Sequence, residues 1–256
     1  MTSDILATRR GASLELAFNR PARRNALTNA MYAALSEALL AAERDEGVRA
    51  IIFHGDEQAF TAGNDLADFL ERPPSGEDAP VFTFIRAVLA GTKPLLAAVN
   101  GNAVGIGTTL LLHCDLVYAG DNARFSLPFA SLGLLPEFAS SYVLPRIAGH
   151  HRAAEMLMLG EPFGPAQAMA AGFVNRVLPA AESLPAARAA ADRLCALPPK
   201  SVRLTRALLR KVDAEAVSAR AREEGVHFSA MLGEPPAREA MAAFMEKRKP
   251  DFSKLG

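Results

Sequence analysis

Residues 99–138 read VNGNAVGIGTTLLLHCDLVYAGDNARFSLPFASLGLLPEF. The apolar run Leu95-Leu96-Ala97-Ala98-Val99 leads in and has the look of a buried strand, cut off at Asn100-Gly101. A small-residue loop follows, with Gly101, Ala103, Gly105 and Gly107, and then an apolar helix-like run from Thr108 to His113. A strand that feeds a glycine-rich turn and a helix start leaves backbone N–H groups free, which suits a phosphate or a developing oxyanion. Further on, Glu137 stands among Leu132, Leu134, Leu135, Pro136 and Phe138. A carboxyl group in apolar company has a raised pKa and can serve as a proton-transfer base.

Working outward, the 256 residues are enough for one large domain, or one domain with an appendage, and half of them are apolar. Lys+Arg and Asp+Glu balance at 28 each, so the basic footprint of a nucleic-acid binder is missing. Cys114 and Cys195 lie far apart in no metal or redox spacing and read as small buried residues. The opening MTSDILATRRG has no signal-peptide apolar core. The uncharged run Pro94–Cys114 is long enough for a membrane span but carries Asn100, Asn102, two threonines and three glycines, so strand–turn–helix is the better reading. Ser253-Lys254-Leu255 is followed by Gly256 and gives no terminal peroxisomal address. The expected location is cytoplasmic.

Local patterns predict the order of elements. Leu6–Arg10 and Ser13–Asn19 form a hairpin about Gly11, and Asn19–Asn25 is a polar turn. Thr28 caps a helix from Asn29 to Asp45 with an apolar stripe of Met31, Ala34, Leu35, Ala38 and Leu39, and Val48–His54 is a buried strand. Ala59–Leu66 is a second strand-to-loop junction, Glu71–Pro80 a mobile surface loop, and Val81–Gly91 a helix. Ala139–Ala148, Arg152–Leu159 and Pro165–Gly172 read as helices and Phe173–Leu178 as a strand. From Leu184 to Lys249 the chain reads as helical, broken at Pro198-Pro199 and Pro235-Pro236. Strand–helix units followed by an all-helical tail give an α/β fold with a helical C-terminal region, with the division set at 1–197 and 198–256.

Taken one at a time, the motifs have plain readings. Gly105-Ile106-Gly107-Thr108-Thr109-Leu110 lacks the third small residue of a dinucleotide fingerprint, and no lysine makes it a P-loop; tight strand–helix packing accounts for it. No pair among the five histidines has zinc-ligand spacing, no Gly-x-Ser-x-Gly elbow is present, and no metal site is expected. The Arg23-Arg24 pair reads as a solvated face that could meet an anion, and Glu246–Lys249 as a wet helix end.

Together the segments say more. Ala59-Phe60-Thr61-Ala62-Gly63-Asn64-Asp65-Leu66 and Lys93–Gly105 resemble the two signature segments of the crotonase (enoyl-CoA hydratase/isomerase) superfamily. Asn19-Arg20-Pro21…Asn25-Ala26-Leu27, Cys114–Ala119, Ala170–Val174 and Phe244–Phe252 match as well, in order and over nearly the whole chain. The resemblance implies a crotonase-like spiral of ββα units with a C-terminal helical trimerisation region, and a homotrimer or dimer of trimers. It implies an acyl-CoA thioester as substrate, with no separate cofactor because coenzyme A belongs to the substrate, and no nucleic-acid or membrane partner. It also implies an oxyanion hole from two backbone N–H groups, which fall on Asn64 and Ile106. Ile106 stands where many members have glycine; this removes no donor but narrows the pocket. Such donors stabilise an enolate by about 3–4 kcal/mol each.

The acid–base residues discriminate between reactions. At the two glutamate positions of the hydratases this chain has Thr109 and Phe129, neither of which can act as a carboxylate base. The run Pro128-Phe129…Leu132-Gly133…Pro136-Glu137…Ser140-Ser141-Tyr142 resembles the peroxisomal-type Δ3,Δ2-enoyl-CoA isomerases, whose matching glutamate is the base. The implied activity is isomerisation of 3-enoyl-CoA to 2-enoyl-CoA in fatty-acid oxidation, with Glu137 as base. Ala62, Gly63, Asp65, Leu66 and Gly105 belong to the substrate-binding loops, and Thr109, Phe129, Leu132 and Leu135 to the pocket wall. Arg23, Arg24 and Lys247 are positions for contact with the CoA end. The rivals are hydration of 2-enoyl-CoA, another crotonase reaction on a ring-bearing acyl-CoA, and an idle acyl-CoA-binding homologue.

Overall fold

The computed structural model describes residues 4–253 and Leu255. The first three residues of the MTSDILATRRG start, and Lys254 and Gly256 of the ending, thus lie outside the described residues. The chain begins with the expected hairpin, β1 (Ile5–Arg10) and β2 (Ser13–Phe18), paired antiparallel. Then come α1 (Asn29–Arg44), β3 (Ala50–His54), β4 (Ala59–Thr61), α2 (Leu66–Glu71), α3 (Pro80–Ala90) and β5 (Leu95–Val99). The middle holds β6 (Asn102–Val104), α4 (Ile106–Thr109), β7 (Leu116–Gly120), β8 (Arg124–Ser126), α5 (Ser140–Ala148), α6 (His150–Ala154) and α7 (Pro165–Ala170). The last part is β9 (Arg176–Leu178) and α8 (Ala180–Ala196), α9 (Pro199–Lys211), α10 (Ala214–Met231) and α11 (Pro235–Met245).

Two sheets carry the molecule. The larger has the order β1-β2-β3-β5-β7-β9, parallel after the first pair; the smaller is β4-β6-β8, all parallel. Each of the successive pairs β3/β4, β5/β6 and β7/β8 puts its first strand in the large sheet and its second in the small one. This is the winding expected of ββα units. Leu95-Leu96-Ala97-Ala98-Val99 is buried along its whole length because both sheet faces are covered. Leu95, Ala97 and Val99 enter the main core, while Leu96 and Ala98 join Ala50, Ile52 and Tyr118 beneath Ala187, Ala190 and Ala191 of α8. Two bidentate pairs pin α8 to the sheet: Arg188 to Glu15 and Arg10 to Asp192.

Thr28 caps α1 as expected, its Oγ1 accepting from the Met31 N–H at 3.3 Å. The other end of α1 is closed from afar. Buried Lys93 donates through Nζ to the carbonyls of Ala42 and Asp45, satisfying acceptors that a helix end leaves free.

The elements differ from expectation in several places. Residues 102–104 are not loop but strand β6, held between β4 and β8; a three-residue strand has too few positions to show alternation. The helix after it begins at Ile106 and tightens to a 3-10 turn over Leu110–His113. Of Phe173–Leu178 only Arg176–Leu178 pairs in the sheet. The helix over Arg152–Leu159 is α to Ala154 and then a π-turn, Glu155–Leu159. The helical tail starts already at Ala180 and has a further break at Val212-Asp213. Among the described residues, no helix is long and apolar enough to cross a membrane.

Candidate active site

Parallel neighbours β4 and β6 end side by side, and their following loops abut, as ligand-binding loops do at the carboxyl ends of parallel strands. A Cβ on Gly63 would lie 2.8 Å from the Val104 carbonyl oxygen, and one on Gly107 would lie 2.6 Å from Thr61 Cγ2. Only glycine fits these approaches, and Gly63 also has φ +82°.

The first loop is fixed by Leu27. Its N–H donates to the Gly63 carbonyl and its carbonyl accepts from the Asp65 N–H, at 2.8 and 2.9 Å. This parallel bridge uses the residues on either side of Asn64 and turns the Asn64 N–H to the other side, where no described group accepts it. The Asn64 side chain is held by Tyr32, whose hydroxyl donates to Oδ1 from within α1. Asp65 is occupied structurally. It caps α2 through the Ala67 and Asp68 N–H groups and pairs with Arg20 at 2.6 Å. Burial opposes its ionisation, but Arg20 and the capped amides outweigh burial and hold its carboxyl below the usual range.

The second loop turns at Gly105, φ +54°, where the Phe129 ring lies 3.9 Å from the space a Cβ would take. The Ile106 N–H is the first of α4 and has no acceptor among the described residues. Thr109 stands three residues further along the same short helix, on the same face and about 4.5 Å along its axis. Its hydroxyl donates to Glu137 Oε1 at 2.5 Å. One helical turn therefore relates a free amide to the carboxylate's hydrogen-bond partner.

Glu137 is only 6% exposed. Burial pushes its pKa up to about 8; the Thr109 hydrogen bond works against that shift, and the nearby Glu224 carboxylate adds to it. The turn that carries it is unusual: Phe138 and Ala139 both have positive φ, +61° and +57°. For non-glycine residues this costs on the order of 1–3 kcal/mol each and persists only when the surroundings enforce it. The surroundings do so on both sides. His113 donates from Nε2 to the Phe138 carbonyl at 2.6 Å and stacks on the Phe138 ring at 4.4 Å. Burial drives the His113 pKa down to about 4, so the ring is neutral. On the other side, Glu224 of α10 accepts from the Ala139 and Ser141 N–H groups.

The structure thus brings Ala62, Gly63, Asn64, Gly105, Ile106, Thr109, Phe129 and Glu137 into one neighbourhood, with Leu132 and Leu135 half-buried on the segment between Phe129 and Glu137. Leu66 opens α2, half-buried. The Arg23-Arg24 turn reaches the site through its backbone, the Arg24 carbonyl accepting from the Ala62 N–H at 2.9 Å, with both side chains exposed. Lys247 is exposed past the end of α11, and among the described residues no hydrogen bond or ion pair ties it to that turn. Sequence reasoning missed Tyr32 and Glu224, which lie on helices far along the chain from their partners and look like ordinary helix residues.

Comparison with known proteins agrees with this architecture. Residues 9–254 match the family described as Enoyl-CoA hydratase/isomerase. The chain is similar to 2,3-dehydroadipyl-CoA hydratase of Escherichia coli (strain K12), 35% identical over 98% of each chain. It is also similar to enoyl-CoA delta isomerase 2 of Rattus norvegicus, 36% identical over 95% of this chain and 64% of that one. Among solved structures, Pseudomonas aeruginosa OdaA superposes with a TM-score of 0.93 at 48% identity, covering 95% of this chain and 99% of that one. A family match over nearly the full length, two curated relatives above 30% identity and a shared spiral of two sheets lead to one conclusion: the chain belongs to the enoyl-CoA hydratase/isomerase family of the crotonase superfamily.

Proposed function

We propose that this enzyme is a Δ3,Δ2-enoyl-CoA isomerase that works with a single carboxylate. The observation that carries the reading is that Glu137 hydrogen-bonds no second acid among the described residues: the nearby Glu224 carboxylate is taken up by the Ala139 and Ser141 amides. Glu137 is buried, its pKa lies near the working range, and its side-chain partner is the Thr109 hydroxyl rather than a second acid. A base is most effective when its pKa lies near the operating pH.

Ionised Glu137 takes a proton from C2 of a 3-enoyl thioester. The C2–H electron pair moves toward the thioester carbonyl, and the negative charge spreads over a dienolate. The Asn64 and Ile106 N–H groups point at the carbonyl oxygen and stabilise that charge. Glu137, now protonated, returns the proton to C4; the double bond then lies between C2 and C3, and the carboxylate is regenerated. No water takes part. The buried Phe129 ring over Gly105 closes the wall where a second carboxylate would have held one. Arg23 and Arg24, exposed beside the Ala62–Asn64 loop, offer charge to the phosphates of the CoA end. A trimer is part of the same reading: Leu204, Leu208 and Leu209 of α9, with Val212 just beyond it, present an exposed apolar stripe that a second copy would cover.

A second reading, hydration of 2-enoyl-CoA, is favoured by the similarity to the E. coli hydratase. The two separate in one assay: turnover of a 3-enoyl-CoA and a 2-enoyl-CoA of equal chain length by wild type and Glu137→Gln. Isomerisation that Glu137→Gln abolishes supports the proposal. Formation of 3-hydroxyacyl-CoA as the sole product overturns it in favour of hydration, and binding of both thioesters without turnover assigns a scaffold role.

A further inference from the structure

The side chain of Glu137 makes one described hydrogen bond, to Thr109. A single contact does not fix the direction of a carboxylate, so its aim depends on the backbone beneath it. That backbone runs through the left-handed pair Phe138-Ala139 into α5. Helix α5 has alanine at its N-cap, a residue with no side-chain acceptor for the free amides of the first turn. The acceptor comes instead from α10, far along the chain. Glu224 is 2% exposed and uses both oxygens on this one turn: Oε2 takes the Ala139 N–H at 2.5 Å, and Oε1 takes the Ser141 N–H at 3.0 Å and the Ser141 hydroxyl at 2.5 Å. Arg220, one turn earlier on α10, also donates to the Ser141 hydroxyl, at 3.1 Å.

We propose that Glu224 is a positioning residue for the base: its carboxylate clamps the turn on which Glu137 is mounted and so sets where Glu137 points. This rests on Glu137 being the base. The ordinary alternative is a staple that joins the C-terminal helices to the core and matters only for stability. Three features of the geometry favour positioning. The clamp grips Ala139 and Ser141, two and four residues after the base, the first of them in the left-handed region. It complements His113, which holds the Phe138 carbonyl, so each residue of the left-handed pair has its own buried hydrogen bond. And Ala139, at φ +57°, lacks the extended backbone from which a local cap side chain would reach these amides, so the acceptor for this turn is a carboxylate brought in from α10.

The test compares wild type, Glu224→Ala, Glu224→Gln and the neighbouring exposed Glu223→Ala, with Glu137→Gln as reference. Steady-state kinetics use whichever enoyl-CoA the enzyme turns over, per folded molecule, with the folded fraction read from thermal melts. Positioning predicts that Glu224→Ala lowers kcat about 10- to 100-fold, since small misplacement of a reacting group has effects of that size, while KM stays within about twofold. Glu224→Gln keeps one acceptor and the side-chain volume and recovers part of the loss; Glu223→Ala matches wild type. A folded Glu224→Ala or Glu224→Gln protein with kcat within about twofold of wild type overturns the proposal. Where the alanine variant fails to fold, the glutamine variant decides by the same criterion. The two failures are distinct: full turnover by Glu137→Gln removes the base assignment itself, whereas an inactive Glu137→Gln beside a fully active Glu224→Ala removes only the clamp.

Discussion

The Thr109 hydroxyl donates to Glu137 Oε1 at 2.5 Å, and it does so from the helix whose first amide, that of Ile106, is free. The bond favours the ionised form of a carboxyl that burial otherwise drives toward neutrality. In wild type, kcat/KM should rise with pH through about 8 as Glu137 loses its proton. Thr109→Val keeps the shape and removes the donor, so the rising limb should move to higher pH. Turnover near pH 7 should fall about tenfold and recover in alkali. A pH–rate profile for both proteins is the check, and superimposable profiles would sink the idea.

Glu137 should also cost stability. Its folded pKa of about 8 lies above the ordinary value of 4.5, so between those values the folded state binds more protons than the unfolded one. The contribution of Glu137 to stability is then greatest below about pH 4.5 and is lost as pH rises through about 8. Glu137→Gln should raise the melting temperature, with a gain larger at pH 8 than at pH 5 and worth on the order of a few kcal/mol. Equal melting temperatures for the two proteins across that range would refute the burial argument.

The contact between the two loops gives a steric prediction. Gly63→Ala would put a methyl group 2.8 Å from the Val104 oxygen in a residue at φ +82°, pushing the Asn64 amide away from that of Ile106. Loss of activity by more than about tenfold is expected, since donors must be aligned before reaction. Gly11→Ala, at φ +59° with nothing within 4 Å, meets the same kind of backbone strain without the collision. It should lower stability by about 1 kcal/mol and leave kcat alone. Equal kinetic effects of the two would show that strain, not loop contact, matters.

Tyr32 is fully buried and points its hydroxyl at Asn64 Oδ1. Tyr32→Phe leaves that oxygen short of a donor at a cost of about 1–3 kcal/mol. The looser Asn64 loop should lower kcat a few-fold, with little change in KM. Unchanged kinetics in a destabilised protein would confine Tyr32 to folding.

What could be read in the sequence follows from the range of the interactions. The strand Leu95–Val99, the Thr28 cap and the Pro-Glu-Phe context of Glu137 are local patterns, and each is visible within a few residues. Asn64 and Ile106 are different: as proposed amide donors they have no side-chain signature; the glycine-rich turn pointed to free amides near Gly105, and similarity to a family singled out these two residues. Strands β6 and β8, three residues each, are shorter than the alternation that would reveal them. Glu224 sits in Arg-Glu-Glu-Gly, a stretch that reads as a wet helix face, and becomes buried only because α10 lies across α3 and α5. Burial that depends on a helix packing so far from its partners along the chain leaves no mark on the residues themselves.

The division of labour between sheet-held amides and a helix-held carboxylate separates two kinds of change. The proposed amide donors belong to the main chain after β4 and β6, so side-chain replacement there would leave them in place as long as the glycines keep the loops together. The acid is one side chain on a turn gripped from α10. On the proposed mechanism, a carboxylate gained, lost or moved along the walls of this pocket would leave the two amides where they are, so the site that holds the intermediate and the residue that decides its fate would be separable by substitution.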